Sequence, residues 1–347
     1  MKEKNPLSDY DPNAVGMKDH NIFGLPFSSR DARLVFIPVP WDVTTSHVAG
    51  TSGGPANILQ QSYQIDLFSP SGGDAWKQGM AMEEIDAKLL NKNKIMRQKA
   101  VELINFLENG GEIEEHASMQ QHLESINKAC DEVMTDVQEK SLKYLENKQL
   151  PFLVGGDHSI STGLIHALAG TEEFGILQID AHADLRKDYQ GFKHSHASVM
   201  RNALNTKGVT KIVQVGIREL CPEELDVING NPIQIKTFFD HHMHQRLFIG
   251  EAWDALCREI VEQLPAKVYI SFDVDGLEPS LCPGTGTPVP GGLSYNQALY
   301  LLESVLKSGK RIIGADLVET GQTTTDGIVS CRLLFHMASM MIKSNKR

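Results

Sequence analysis

Residues with metal-ligating side chains alternate at Asp180, His182 and Asp184, directly after the apolar run 174–179, which predicts a buried strand. Side chains two apart share one face of an extended chain. At a rise of about 3.3 Å per residue the outer pair would stand about 13 Å apart. Ligands of one ion lie within about 2–2.5 Å of it. The chain must therefore curl at the strand end, or serve more than one ion. Partners are on offer elsewhere: Asp273 and Asp275 follow the apolar run 267–272, and His158 follows a third in Leu153-Val154-Gly155-Gly156-Asp157-His158-Ser159. Carboxylate and imidazole without cysteine suit Mn²⁺, Mg²⁺, Zn²⁺ or Ni²⁺ rather than a structural zinc. Asp180, Asp184, Asp273 and Asp275 would bring four negative charges together. Such crowding raises carboxyl pKa values and costs stability. Two divalent ions balance the four charges, and the usual task of an ion pair about 3.5–4 Å apart is to acidify a bound water.

The elements that must position these residues are legible from periodicity. A short apolar strand over 34–38 leads to Trp41-Asp42-Val43-Thr44-Thr45-Ser46, a glycine-rich loop at 50–54 and a helix over 56–63 that Pro55 can open. Residues 69–147 show no strand pattern; 83–107 and 118–147 carry helical periodicity, broken at Gly110-Gly111. This stretch is expected as a helical elaboration packed on a single domain spanning 1–347, and nothing in it suggests chemistry. From 150 onward, strands at 151–154, 175–179, 211–215, 232–236, 268–272 and 312–318 alternate with helices. The alternation predicts an α/β fold of three α/β/α layers around a mostly parallel sheet. In such folds ligands bind beyond the carboxyl ends of the strands, and His158, Asp180, Glu219, Asp273 and Glu319 all fall there. The histidine-rich run 240–244 is expected as an exposed cluster before a polar loop.

A net charge of −11 argues against nucleic acid or an anionic membrane as partner. No apolar run reaches the roughly 18 residues of a membrane span, and the polar N-terminal stretch 1–11 lacks a signal-peptide core. Five scattered cysteines without a CxxC spacing point to a reducing compartment, the cytoplasm.

Gly155-Gly156-Asp157-His158-Ser159, Asp180-Ala181-His182-Ala183-Asp184 and Ser271-Phe272-Asp273-Val274-Asp275-Gly276-Leu277-Glu278-Pro279 together resemble the metal signatures of the ureohydrolases. This family contains arginase, agmatinase, guanidinobutyrase and formiminoglutamase. Gly284-Thr285-Gly286-Thr287-Pro288 and Gly291-Gly292-Leu293 resemble the loop after the third signature. The resemblance implies an arginase-like fold and two divalent ions per chain, most commonly Mn²⁺, with Ni²⁺ as the other candidate. His158 and Asp184 would each hold one ion, Asp180 and Asp273 would bridge both, and His182 and Asp275 would complete the second. Urea and an amine would leave a guanidino substrate, with Asp184 passing a proton to the amine. His196 matches the family's non-ligand histidine, a proton shuttle, with His194 as its rival. Glu319 matches the acid that pairs with the guanidinium. His196-Ala197-Ser198 and Gly216-Ile217-Arg218 look closest to agmatinases. Arginase, guanidinobutyrase and formiminoglutamase are the alternatives, and a non-catalytic metal-binding scaffold is the alternative of another class. Arg186 and Glu219 are the candidates for reading the far end of the substrate, Glu219 either neutralising Arg186 or binding an ammonium. The resemblance also implies a homo-oligomer, trimer or hexamer.

Overall fold

The computed structural model describes residues 6–17 and 19–346; the polar stretch expected over 1–11 lies partly outside them. Strands β1 (Leu34–Val39), β2 (Met80–Met82), β3 (Leu150–Gly155), β4 (Phe174–Ile179), β5 (Val209–Ile217), β6 (Ile235–Phe239), β7 (Lys267–Asp273) and β8 (Arg311–Val318) form one sheet in the order β2-β1-β3-β8-β7-β4-β5-β6. Every ladder is parallel. Helices α1 (Gly54–Ser62), α2 (Ala87–Glu108), α3 (Ala117–Glu146), α4 (Ser161–Ala169), α5 (Val199–Leu204), α6 (Pro222–Gly230), α7 (Asp240–Phe248), α8 (Trp253–Glu262) and α9 (Tyr295–Lys307) lie in the crossovers, and α10 (Thr324–Ser344) follows the last strand. They cover both faces of the sheet, giving three α/β/α layers around it. The central strands are buried along almost their whole length, as a sheet covered on both faces requires. Among the described residues no helix is long and apolar enough to cross a membrane.

The strand order explains how distant motifs meet. β3 and β4 are consecutive in the chain, yet β8 and β7 lie between them. The winding direction reverses there, and such a switch point opens a crevice at the carboxyl ends of the strands. Register does the rest. Ile179 pairs with Phe272, and Asp273 with Val318, so Asp180, Asp273 and Glu319 emerge side by side at the strand ends. Adjacent strands stand about 4.8 Å apart, a spacing that lets neighbouring carboxylates face a common point.

Three details depart from the sequence reading. Residues 69–147 do contain a strand: β2 pairs with the outer edge of β1. Three residues are too few to show alternation, and the pairing comes from the free edge of its neighbour. The sixth strand begins at Ile235 rather than 232, because Ile233, read as part of an apolar run, is 87% exposed in a turn. The histidine run belongs to α7, where His241 and His242 are exposed and Asp240 is buried.

Candidate active site

Four strand ends supply a crowded, buried acid cluster. His158 opens a 3₁₀ turn after β3, and its Nδ1 lies 3.1 Å from Asp180, 2.9 Å from Asp184 and 3.5 Å from Asp273. His182 Nδ1 lies 3.0 Å from Asp275 and 3.6 Å from Asp180. Two groups of ligand atoms close enough to share an ion result, His158–Asp180–Asp273 and Asp180–His182–Asp275, with Asp180 common to both. The curl demanded by the alternating ligands occurs at Asp184, whose φ is 55°. Glu319 has a φ of 60°. Left-handed backbone at two non-glycine acids is uncommon and clusters where side chains must be aimed against local preference. Gly276 follows the Asp-x-Asp pair because any Cβ there would stand 2.7 Å from the Asp180 backbone nitrogen.

A hydrogen-bonded shell fixes the ligands. Ser271 donates to Asp316, as do the Tyr269 hydroxyl (2.5 Å) and the Phe272 N–H (3.1 Å). The Ser271 proton is thus committed, so His158 Nε2 donates to Ser271 Oγ at 2.8 Å. The Nδ1 lone pair is left facing carboxylates with no hydrogen-bond partner of its own. Only a proton or a metal ion satisfies that arrangement, and anchoring the second nitrogen is the usual support of a ligating histidine. Asp180 is held by Gln178 Nε2 at 2.8 Å; Gln214 donates to Gln178, and Thr237 to Gln214. Arg218 donates to the carbonyls of Asp275 (2.6 Å), Leu277 and Val289, pinning the loop after β7. Asp316 and Gln178 look like ordinary strand sequence and give no signal of this role, and the motifs that contain Ser271 and Arg218 do not announce what those side chains hold.

The charge balance bears on what the site holds. Burial and the neighbouring Asp180 push the Asp184 carboxyl up to about 7, and burial with Asp275 and Asp180 pushes Asp273 well above the carboxylate range. Burial would lower His158 and His182, yet their carboxylate partners raise both well above the ordinary imidazole range. The acids therefore ask for positive charge, and hard oxygen donors with imidazole suit divalent metals. Glu319, 3% exposed, accepts the His158 N–H on Oε1 at 3.0 Å and leaves Oε2 without a partner. A Cβ on Gly286 would sit 3.2 Å from that oxygen, so glycine keeps the space beside it open.

A cleft of about 360 Å³ opens onto the cluster, walled by Ser46, His182, Asp184, Arg186, Tyr189, His196, Glu219 and Glu224 among others. His196 faces it, with Nε2 3.4 Å from Ser46 Oγ and its backbone N–H on Thr44 Oγ1. Burial, His182 and His158 push its imidazole down to about 3. His194 points away, 3.0 Å from Asp131 on α3. Arg186 stacks on Tyr189 at 4.6 Å and lies 3.9 Å from buried Glu224. Glu224 also accepts the N–H groups of Leu185 and Cys221. The acid beside Arg186 is thus Glu224, and the exposed Glu219 is separate from that pair.

Fold and site together define a metal-dependent hydrolase of the open α/β class, and comparison narrows it. The model of the arginase family matches residues 32–327, and the chain belongs to that family. It is 33% identical over 311 residues to N(1)-aminopropylagmatine ureohydrolase of Thermus thermophilus, covering 88% of this chain and 89% of that protein. It is 28% identical to the agmatinase of Bacillus subtilis, covering 84% of each. The agmatine ureohydrolase of Thermoplasma volcanium shares the fold, with a TM-score of 0.68, 23% identity, and 91% and 92% of the two chains covered. The protein is an agmatinase-like ureohydrolase, a hydrolase of guanidino compounds.

Proposed function

We propose that the chain hydrolyses a guanidine whose tail carries ammonium groups, agmatine or an aminoalkyl derivative of it. Water adds at the guanidinium carbon, the bond from that carbon to the substituted nitrogen breaks, and urea and an ammonium-ended amine leave. The observation that carries this reading is the pair of acids at the cleft. Glu224 already compensates Arg186 at 3.9 Å, whereas Glu219 is exposed on the same wall with no ion pair among the described residues. The net unpaired charge at the mouth is negative, which favours a cationic tail and disfavours a carboxylate.

Two divalent ions, Mn²⁺ first and Ni²⁺ as the alternative, would be held by His158, Asp180, Asp184 and Asp273 and by Asp180, His182, Asp273 and Asp275. When bound, such a pair acidifies a water. Glu319 offers its free Oε2 to the guanidinium, an orienting charge-assisted contact. Asp184 hands a proton to the departing amine, and His196, neutral at cellular pH, moves protons between cleft and solvent. The free state of all five cysteines among the described residues supports a cytoplasmic setting. We place the protein there as a homo-oligomer, trimer or hexamer, which sedimentation tests.

Urea release from agmatine, N(1)-aminopropylagmatine, arginine and guanidinobutyrate decides the tail. Glu219→Gln should raise KM for the first two and leave uncharged-tail guanidines unaffected. Arg186→Ala damaging carboxylate substrates while sparing agmatine would reverse the assignment. Urea from none of them, with metal loaded, would reject the reading.

A further inference from the structure

The two loops that hold His196 are both gripped by α2 and α3, the region in which the sequence shows no chemistry. On one side is residues 42–52. Asn93 of α2 exchanges two hydrogen bonds with Asp42, donating to Oδ1 at 2.7 Å and accepting the Asp42 N–H at 2.8 Å. Asp42 Oδ2 in turn accepts the N–H groups of Gly50 and Ser52. One helical turn on, Arg97 donates to the carbonyls of Val43 and Thr45. Those carbonyls flank Thr44 and precede Ser46, the residues that touch the backbone and the imidazole of His196. Thr44 is further tied to Asp157 at 2.9 Å, beside the ligand His158. On the other side is residues 191–198. Asn127 of α3 donates to the Gly191 carbonyl and accepts the Lys193 N–H, both at 3.1 Å, and Asp131 holds His194.

We infer that the α2–α3 pair is a positioning device for the proton shuttle, with Arg97 its principal residue, acting on His196 through the backbone of Val43 to Ser46. Arg97 touches no residue of the acid cluster. Its guanidinium fixes two carbonyls that no helix or sheet ladder satisfies, and so sets where the Thr44 and Ser46 hydroxyls stand. A misplacement of about 1 Å at a proton-transfer group costs up to about 10²-fold in rate. Substrate binding at the mouth, by contrast, is assigned to Glu219 and Arg186, and the hydrogen bonds of Arg97 go to neither. Loss of Arg97 should therefore appear in kcat and not in KM. The inference rests on His196 as the shuttle.

The test is a double-mutant cycle on the metal-loaded full-length protein with agmatine and N(1)-aminopropylagmatine as probes. Arg97→Ala should lower kcat by about 10- to 100-fold, hold KM within about twofold and retain metal. Arg97→Lys should recover part of the loss, since one ammonium reaches one carbonyl, and exposed Lys94→Ala on the same helix should change nothing. Arg97→Ala combined with His196→Ala should be no slower than His196→Ala alone, because coupled residues are non-additive. Amide exchange should quicken in 42–52 and 191–198 and stay unchanged in β7 and β8. Multiplicative losses in the double variant would overturn the coupling, as would an Arg97→Ala enzyme with wild-type kcat. If His196→Ala alone is fully active, the shuttle reading fails first and takes this inference with it. If His196→Ala is impaired but Arg97→Ala is not, this inference fails alone.

Discussion

The acid cluster at the ends of β3, β4, β7 and β8 opens onto the cleft directly, whereas the helical pair α2–α3 reaches it only through two loops, and the two do their work by opposite means. The cluster acts through side-chain chemistry. Its residues are acids and imidazoles because divalent ions need hard, anionic ligands, and neighbouring parallel strands bring them together with little freedom to vary. The helical pair acts through backbone contacts. Asn93, Arg97 and Asn127 hold carbonyls and N–H groups of two loops, and many polar side chains of similar reach could do the same. Chemistry that demands particular residue types leaves a motif in the sequence. Support that only demands a donor at a given place leaves none. The comparison also separates two failures: damage to the cluster should remove metal and activity together, and damage to the buttress should leave the metal in place.

The largest expected effect is on the cluster. Asp273→Ala should abolish metal retention and urea release together, measured by elemental analysis and turnover on the same sample; a variant that keeps near two ions per chain and loses only activity would break the contrast. Next comes His196, which lines the cleft with His182 and Asp184 and is held by Thr44 and Ser46. His196→Ala should keep its metal and lose about 10²–10⁴ in kcat, the usual range for a general acid–base group. His194→Ala should lose far less, since its imidazole is committed to Asp131, and the reverse ranking would exchange their roles.

A smaller effect is expected from the shell behind the ligands. Asp316→Asn keeps the shape but weakens acceptance from Ser271 and Tyr269, and with it the orientation of His158. Metal affinity should fall about 10- to 100-fold, the common cost of losing such support, with kcat of the saturated enzyme little changed. Unchanged affinity in a chelator competition would show that Ser271 alone anchors the imidazole.

The smallest effect is on pH. Burial and the neighbouring Asp180 push the Asp184 carboxyl up to about 7, above its ordinary value of 3.8. A carboxyl with a raised folded pKa contributes stability at low pH, and that contribution is lost as pH rises through about 7. An entering ion must displace the same proton. Metal affinity should therefore weaken as pH falls below 7, with protons passing to the buffer on binding at pH 6. Calorimetry in buffers of different ionisation enthalpy measures this, and affinity independent of pH from 6 to 8 would reject the protonated state of Asp184. The buttress offers no comparable titration on its Asn93 and Asn127 contacts, so its variants should not alter the slope.

The sequence by itself determined the parallel α/β layers and the three strand ends that carry candidate metal ligands, because hydrophobic patterning and metal-type side chains are both legible over a few residues. It also puts Glu319 at a strand end and His196 in a loop; in the fold Glu319 is buried beside His158, and His196 lines the cleft. Tertiary structure alone decided what those residues meet. The left-handed backbone at Asp184 and Glu319, the commitment of Ser271 to Asp316, and the choice of Glu224 over Glu219 as the acid beside Arg186 follow from strand order and register. The same holds for β2, a strand of three residues that exists because the edge of β1 was free to pair. Residues 38 apart, such as Arg186 and Glu224, carry no local period that could announce their contact. Their approach depends on which strands lie side by side at the switch point, and that is settled by burial of the whole sheet between its two helical layers.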